Sequence, residues 1–266
     1  MTAVERRRRF RELHEREQLF VMPNPWDIGS AKLLASAGFE ALATTSAGFA
    51  WSLGKLDTTV SRDELVAHVR SVASAVDVPL NVDSERLYPD DEGGVAETVR
   101  LLAEAGAAGC SVEDYNPATN GIDDVEVAAA RVAEAADAAR AHSVVLTGRA
   151  ENHIHEVDDL DDTIARLLAY REAGADVLYA PGLTDLEQIR RVVDAVSAPV
   201  NVLALAGAPP VPELASAGVR RVSTGGLLAR AAYGALLAGA RELQSDGTSR
   251  YSAAGASQDD LRRALG

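Results

Sequence analysis

The chain has 266 residues, 47% of them hydrophobic and 25% charged, with a formal net charge of −14. That length and apolar share support one large buried core, and the acidic balance disfavours nucleic acid and anionic membrane surfaces as partners. The one cysteine, Cys110, excludes an internal disulfide and fits a reducing cytoplasm. No run reaches the roughly 18–20 apolar residues of a membrane span, and residues 1–11 lack an apolar signal core.

In chain order, residues 5–18 predict a charged helix with four consecutive arginines, Arg6 to Arg9, read as a solvated face at the closed end of the fold. Residues 19–22 predict a first strand, and Asp27 is placed to cap a helix over 28–37. Further strands are predicted over 41–45, 79–82, 109–112, 144–147, 177–180, 199–203 and 219–223, with alanine-rich helices between them, for example over 126–140 and 160–173. The strands are near-continuous apolar runs, the pattern of a parallel sheet buried on both faces. The tail over 245–258, rich in Ser, Gly and Ala, predicts a flexible linker to a short helix over 259–265. Such a helix either packs on a neighbouring subunit or frays.

Ala-Gly recurs at Ala37-Gly38, Ala105-Gly106, Ala173-Gly174 and Ala217-Gly218, each followed closely by an apolar strand. The first two intervals are equal (105 − 37 = 68 and 173 − 105 = 68), a length that fits two strand-helix units. Glycines at those points suit helix C-caps that need positive φ. Eight units predict an α/β (β/α)8 TIM barrel over residues 1–244 with a C-terminal helical extension over 245–266; an open doubly wound sheet is the alternative. No Gly-x-Gly-x-x-Gly follows strand one, so nothing points to a dinucleotide.

The residues at the C-terminal strand ends are conspicuously polar: Asn24, Ser46, Asp83, Glu85, Glu113, Asp114, Arg149, Glu151, Asn152, Asn201 and Ser223. Carboxylates converging on one mouth repel one another unless a cation intervenes. Oxygen-only ligands favour Mg²⁺ or Mn²⁺, with Asp83 bound directly and Glu85 and Glu113 holding metal waters. The alternative is an Arg149–carboxylate network that stabilises the barrel mouth. His153 and His155 form a His-x-His that could take a transition metal or be a solvated loop pair; no third Cys or His ligand is apparent. Trp26 could wall a substrate pocket or belong to the core, and Cys110 is expected to be buried packing.

Several segments together resemble the isocitrate lyase/phosphoenolpyruvate mutase superfamily over about residues 19–237. They are Met22-Pro23-Asn24-Pro25-Trp26-Asp27, Thr45-Ser46-Ala47-Gly48 leading to Asp57, Asp83-x-Glu85, Ser111-Val112-Glu113-Asp114 and Gly148-Arg149-Ala150-Glu151. The resemblance implies a (β/α)8 barrel, commonly a homotetramer that exchanges C-terminal helices. It also implies Mg²⁺ and a 2-oxo acid or its enolate held on that metal. By position, it implies Asp83, Glu85 and Glu113 as the metal shell, Arg149 as the carboxylate clamp, Ser46 with the amides of Ala47 and Gly48 as further oxyanion donors, and Asp57 as an acid near the metal.

Three departures narrow the expectation. The Lys-Lys-Cys-Gly-His segment of the family's lyases is replaced by Tyr115-Asn116-Pro117-Ala118-Thr119-Asn120-Gly121, so isocitrate or methylisocitrate cleavage is not expected. The phosphonate branch's Lys-x-Asn-Ser keeps only Asn120. The family's Gly-Tyr-Gly after the acidic pair has become Leu87-Tyr88-Pro89. Tyr115, Asn120 with a water, and Tyr88 are the candidate proton donors. The sequence therefore predicts a cytoplasmic, homo-oligomeric Mg²⁺-dependent enzyme that cleaves or decarboxylates a small 2-oxo or 2-hydroxy carboxylate through a metal-bound enolate. The alternatives are a phosphonopyruvate P–C mutase or hydrolase and a catalytically degraded oxo-acid-binding barrel.

Overall fold

The computed structural model describes all residues, 1–266. Eight parallel strands follow the chain: β1 Phe20–Met22, β2 Leu42–Ala43, β3 Leu80–Val82, β4 Gly109–Glu113, β5 Val145–Arg149, β6 Val177–Tyr179, β7 Val200–Leu203 and β8 Arg221–Ser223. They form one sheet in the order β1-β8-β7-β6-β5-β4-β3-β2. The gap between β1 and β2 is bridged by a bond from the Ala43 amide to the Pro23 carbonyl (3.1 Å) and one from Asn24 Nδ2 to the Thr44 carbonyl (2.6 Å). The result is a nearly closed barrel; the open-sheet alternative is set aside. No helix is long and apolar enough to cross a membrane.

Helices α1 Ala3–Glu15, α2 Ile28–Ser36, α3 Ser46–Ser52, α4 Arg62–Ala75, α5 Gly94–Ala105, α6 Val125–His142, α7 Leu160–Glu172, α8 Leu186–Val196, α9 Val211–Ser216, α10 Leu227–Ser245 and α11 Gln258–Leu265 complete the chain. The main core lies between the helices and the sheet, around residues such as Val69, Leu102, Leu146, Leu167 and Ile189. A smaller apolar cluster fills the lower barrel, where Phe10 and Leu13 of α1 meet Phe20, Val145 and Val177. Gly106 and Gly174, at φ 105° and 106°, end their helices in the left-handed conformation that a Cβ would strain.

The arginine run is only partly a solvated face. Arg6 donates to the carbonyls of Ala73 and Val76 at the end of α4, and Arg7 to those of Ala103, Ala107 and His142 at the ends of α5 and α6. The last carbonyls of a helix lack intrahelical donors, so cations find acceptors there. Arg8 and Arg9 remain exposed. Two short elements have no counterpart in the expected pattern, because neither carries a periodic signal: α3 directly after β2, and the hairpin pairing Tyr115–Asn116 with Gly121–Ile122. The tail folds back on α10: Glu242 accepts from the Thr248 hydroxyl and from the amides of Arg250 and Tyr251. Helix α11 lies against α2 of the same chain.

Candidate active site

The C-terminal mouth holds a cavity of about 190 Å³, whose walls include Ser46, Asp57, Asp83, Arg149, Asn201 and Arg221. Arg149, last residue of β5, stands at its centre. Its Nη1 donates to Asp83 Oδ1 (2.5 Å) and its Nε to Glu151 Oε1 (2.7 Å), and its Nη2 lies 3.2 Å from Glu113 Oε2. Its guanidinium plane sits over the Tyr179 ring, 5.3 Å from the centroid. Such charge-assisted bonds fix the fork in one orientation. Asp83, just past β3, also accepts from the Ser46 amide (3.0 Å), and its own amide donates to the Thr44 hydroxyl (2.9 Å).

Around this one guanidinium stand five carboxylates: Asp57, Asp83, Glu85, Glu113 and Glu151. Two unit charges 4 Å apart interact by about 4 kcal/mol at an effective dielectric of 20, so one cation balances one or two of them, not five. The titration of the unbalanced groups reflects this. Burial, then the neighbouring charges of Asp83 and Asp57, push Glu85 up to about 8. Burial and the Asp83 charge raise Asp57, against the opposing pull of the Ser46 side chain. Burial raises Glu113 well above the usual carboxylate range against the pull of Arg149. Glu85 has no ion pair and points toward a side cavity of about 160 Å³ shared with Val60 and Tyr88.

The loop presenting Glu85 is strained. Glu85, Leu87 and Tyr88 all take positive φ (48°, 61° and 48°) without being glycine. Two contacts hold them: the Leu87 side chain is fully buried, and the Tyr88 hydroxyl donates to the Val60 carbonyl (3.1 Å). The Leu87-Tyr88-Pro89 segment thus holds left-handed backbone at Leu87 and Tyr88 with no glycine there.

Asp83, Glu85 and Glu113 reach the same mouth, but no three acidic or histidine side chains stand as a ready-made cation cage; Arg149 lies among them. The oxygen-only donor set, the surplus negative charge and the unpaired, half-buried Glu85 fit a hard divalent cation. Of the three expected oxyanion donors, the Ser46 amide is taken by Asp83 and the Gly48 amide by the Thr45 hydroxyl (3.3 Å), which leaves the Ala47 amide at the start of α3. Gly48 is needed for packing instead: a Cβ there would meet Thr45 Cγ2 at 2.6 Å and Trp26 Cβ at 3.0 Å.

Other expected residues lie outside the cavity or, like Asn24 and Asn201, are bonded into its wall. Trp26 lines a separate groove with Phe49 and His68. Tyr115 donates to Asn120 Oδ1 (2.8 Å) on the half-exposed hairpin and stacks on His155 with ring centroids 3.7 Å apart. His153 pairs with Asp158 (3.1 Å) and Thr163 (2.8 Å), so the two histidines are engaged separately. Asn24 is a stitch: its Oδ1 accepts from the amides of Thr224 (2.8 Å) and Gly225 (2.9 Å) and its Nδ2 reaches toward β2. Asn201 lines the cavity with both ends of its amide used, by Arg221 Nε (2.8 Å) and the Ser223 hydroxyl (2.9 Å).

Arg221, Thr147, Ser111, Asn81 and Tyr179 also line the cavity and were not among the sequence candidates. The available signal was a period of two: Asn81-x-Asp83, Ser111-x-Glu113, Thr147-x-Arg149 and Arg221-x-Ser223 each place two polar residues on one face of an apolar strand.

Comparison with known proteins identifies the relatives of this chain. A putative lyase/mutase from Burkholderia cenocepacia J2315, known from its crystal structure, is 50% identical with a TM-score of 0.93; the match covers 98% of this chain and 95% of that one. The oxaloacetate decarboxylase of Paraburkholderia xenovorans is 36% identical over 217 residues, 76% of this chain and 69% of that protein. The 2-methylisocitrate lyase of Escherichia coli is 32% identical over 179 residues, 64% of this chain and 60% of that protein. The family model described as phosphoenolpyruvate phosphomutase matches residues 10–244. The chain belongs to the phosphoenolpyruvate phosphomutase family, in the isocitrate lyase/phosphoenolpyruvate mutase superfamily of lyases and mutases.

Proposed function

We propose that the chain is a Mg²⁺- or Mn²⁺-dependent lyase that cleaves or decarboxylates a small 2-oxo or 2-hydroxy carboxylate by way of an enolate. The observation that carries this is the setting of Arg149: a guanidinium held in a fixed orientation inside a surplus of carboxylates at the mouth of a small polar cavity. Asp83, Glu85 and Glu113 are the residues to hold the cation, which when bound supplies Lewis-acid polarisation of the substrate's 2-oxo group. Arg149 grips the substrate carboxylate through two parallel bonds, exchanging one of its present carboxylate partners for the ligand. The Ala47 amide, free at the N-terminus of α3, donates to the developing oxyanion. Asp57, whose carboxyl is raised by partial desolvation and the nearby Asp83 charge, is the cavity-lining group placed to hand a proton to the product. Tyr115 and Asn120 act only if the hairpin closes over the mouth.

We further assign the barrel over 1–244 as the catalytic domain and residues 245–266 as a linker and C-terminal helix, with assembly carried by α10. Helix α10 exposes Leu236, Leu237 and Leu243 (65%, 52% and 48%), and Tyr233 packs edge-on to Trp51 beside them. An apolar stripe of that kind supports a homo-oligomer, dimer or tetramer. With Cys110 buried and unpaired, the protein suits a reducing cytoplasm.

Calorimetry on metal-stripped protein tests the cation: Mg²⁺ or Mn²⁺ uptake strengthened by oxalate is expected, and no uptake with either ion would end this reading. A second reading, chemistry at a P–C bond, is favoured by the matching family's own description. Side-by-side turnover of oxaloacetate and phosphonopyruvate separates the two. Binding without turnover of either would indicate a degraded, oxo-acid-binding barrel.

A further inference from the structure

The barrel interior below Arg149 is polar where such interiors are usually packed with branched apolar side chains. Asn81, Ser111, Thr147, Asn201 and Arg221 form a layer between the charged mouth and the apolar plug around Phe10 and Phe20. Arg221 is 2% exposed and forms no ion pair. Its Nε donates to Asn201 Oδ1 (2.8 Å) and its Nη2 to the Thr147 hydroxyl (3.1 Å), and its Nη1 faces His14 Nε2 (3.1 Å). All three partners are uncharged, since burial holds His14 neutral. Two of the guanidinium's five N–H groups have no acceptor. Across the same layer, Asn81 Oδ1 is buried without a partner. A buried cation with only neutral partners is costly, and an orphaned buried acceptor requires an explanation. Both sit on the wall of the one cavity that also holds Arg149.

Thr147 precedes Arg149 by two residues on β5, so the two guanidinium levels are about 6–7 Å apart along the strand. We infer that Arg221, with the Asn81 amide, forms an inner anion subsite that takes the distal carboxylate of a 2-oxo dicarboxylate whose 2-oxo acid end is held at Arg149. Asn81 Oδ1 lies against Gly109 on the side of Phe10, and Nδ2, which donates to no group of this chain, is the amide's donor to that carboxylate. The ligand then spans the cavity from mouth to floor, and the chain selects four- or five-carbon dicarboxylates over monocarboxylates. This inference rests on the proposed function for the outer end alone; the inner end is set by Arg221.

The test is titration of the Mg²⁺-loaded protein with pyruvate, oxaloacetate and 2-oxoglutarate, using wild type, Arg221→Met and Arg221→Lys. Wild type is expected to bind at least one dicarboxylate ten-fold or more tighter than pyruvate. Arg221→Met is expected to weaken that dicarboxylate by about 10–100-fold and to leave pyruvate within two-fold, with Arg221→Lys in between. Arg221→Met is also expected to melt no lower than wild type, since it removes an unpaired buried charge. Equal affinity of wild type for pyruvate and both dicarboxylates overturns the inference whether or not the variants fold. Equal weakening of pyruvate and dicarboxylate in a folded Arg221→Met also overturns it, and assigns Arg221 to a water-filled structural layer. If wild type binds none of the probes, the reading of the outer site fails and this one fails with it.

Discussion

The two ends of the barrel solve opposite charge problems. At the closed end, cations and acceptors are matched: Arg6 and Arg7 meet the free carbonyls ending α4, α5 and α6, Arg11 meets Asp176 at 2.9 Å, and Arg16 meets Glu40 at 2.6 Å. At the open end, five carboxylates surround Arg149, which pairs with only three of them, and the loop that carries Glu85 holds three strained residues. A fold selected only for stability has no reason to treat its ends so differently. The matched end is scaffold, whereas the unmatched end stores repulsion and strain that a cation and an anionic ligand would relieve.

The largest expected effect comes from removing the one cation at the open end. Arg149→Met should lower kcat/KM by about 10³-fold or more and destabilise the protein by roughly 3–5 kcal/mol, since Glu113 and Glu151 are left buried and unpaired. Activity within ten-fold of wild type would remove Arg149 from the chemistry. Next comes the double variant Asp83→Asn with Glu85→Gln. Mg²⁺ affinity by calorimetry should fall 100-fold or more, while the metal-free protein melts higher because repulsion is gone. Unchanged affinity, or a lower melting point, would show that the open end is not a cation site.

A smaller effect concerns His14, in the layer where the two ends meet. Burial, and then the charge of Arg221, pull it from 6.5 to about 3. The folded state therefore binds fewer protons than the unfolded chain, and its contribution to stability is complete above about pH 6.5. That contribution is lost as pH falls toward 3, by a few kcal/mol in total. Urea melts of wild type and His14→Leu across that range should converge in slope if another group dominates, and diverge if His14 does. The smallest effect belongs to the matched end: Arg7→Met should cost about 1–3 kcal/mol through the carbonyls it abandons and leave kcat and KM unchanged. A change in either kinetic constant would mean the ends are coupled.

Much of this was legible from sequence because it is local. Apolar runs marked every strand to within a few residues, Ala-Gly preceded four of the eight, and Asp83, Glu113 and Arg149 stood at strand ends where a barrel exposes them. Motifs on irregular backbone were less legible. The hairpin after β4 carried Tyr115 and Asn120 away from the cavity and onto each other and His155. The Ser46-Ala47-Gly48 segment became a helix start whose amides are mostly spent on Asp83 and Thr45. Trp26, which reads equally as a pocket wall or as core, lines a separate groove beside Phe49 and His68.

By itself, the order of residues determined eight buried strands, the helices between them and the face on which the polar strand ends collect, because periodicity and glycine caps act over a few residues. Only the tertiary structure decided that Arg149 serves three carboxylates, that Glu85 goes unpaired, and that Arg221 turns inward to meet His14 across 207 positions of chain. Those outcomes depend on strand register and barrel closure, which bring distant side chains into one low-dielectric space where each charge is felt by all the others.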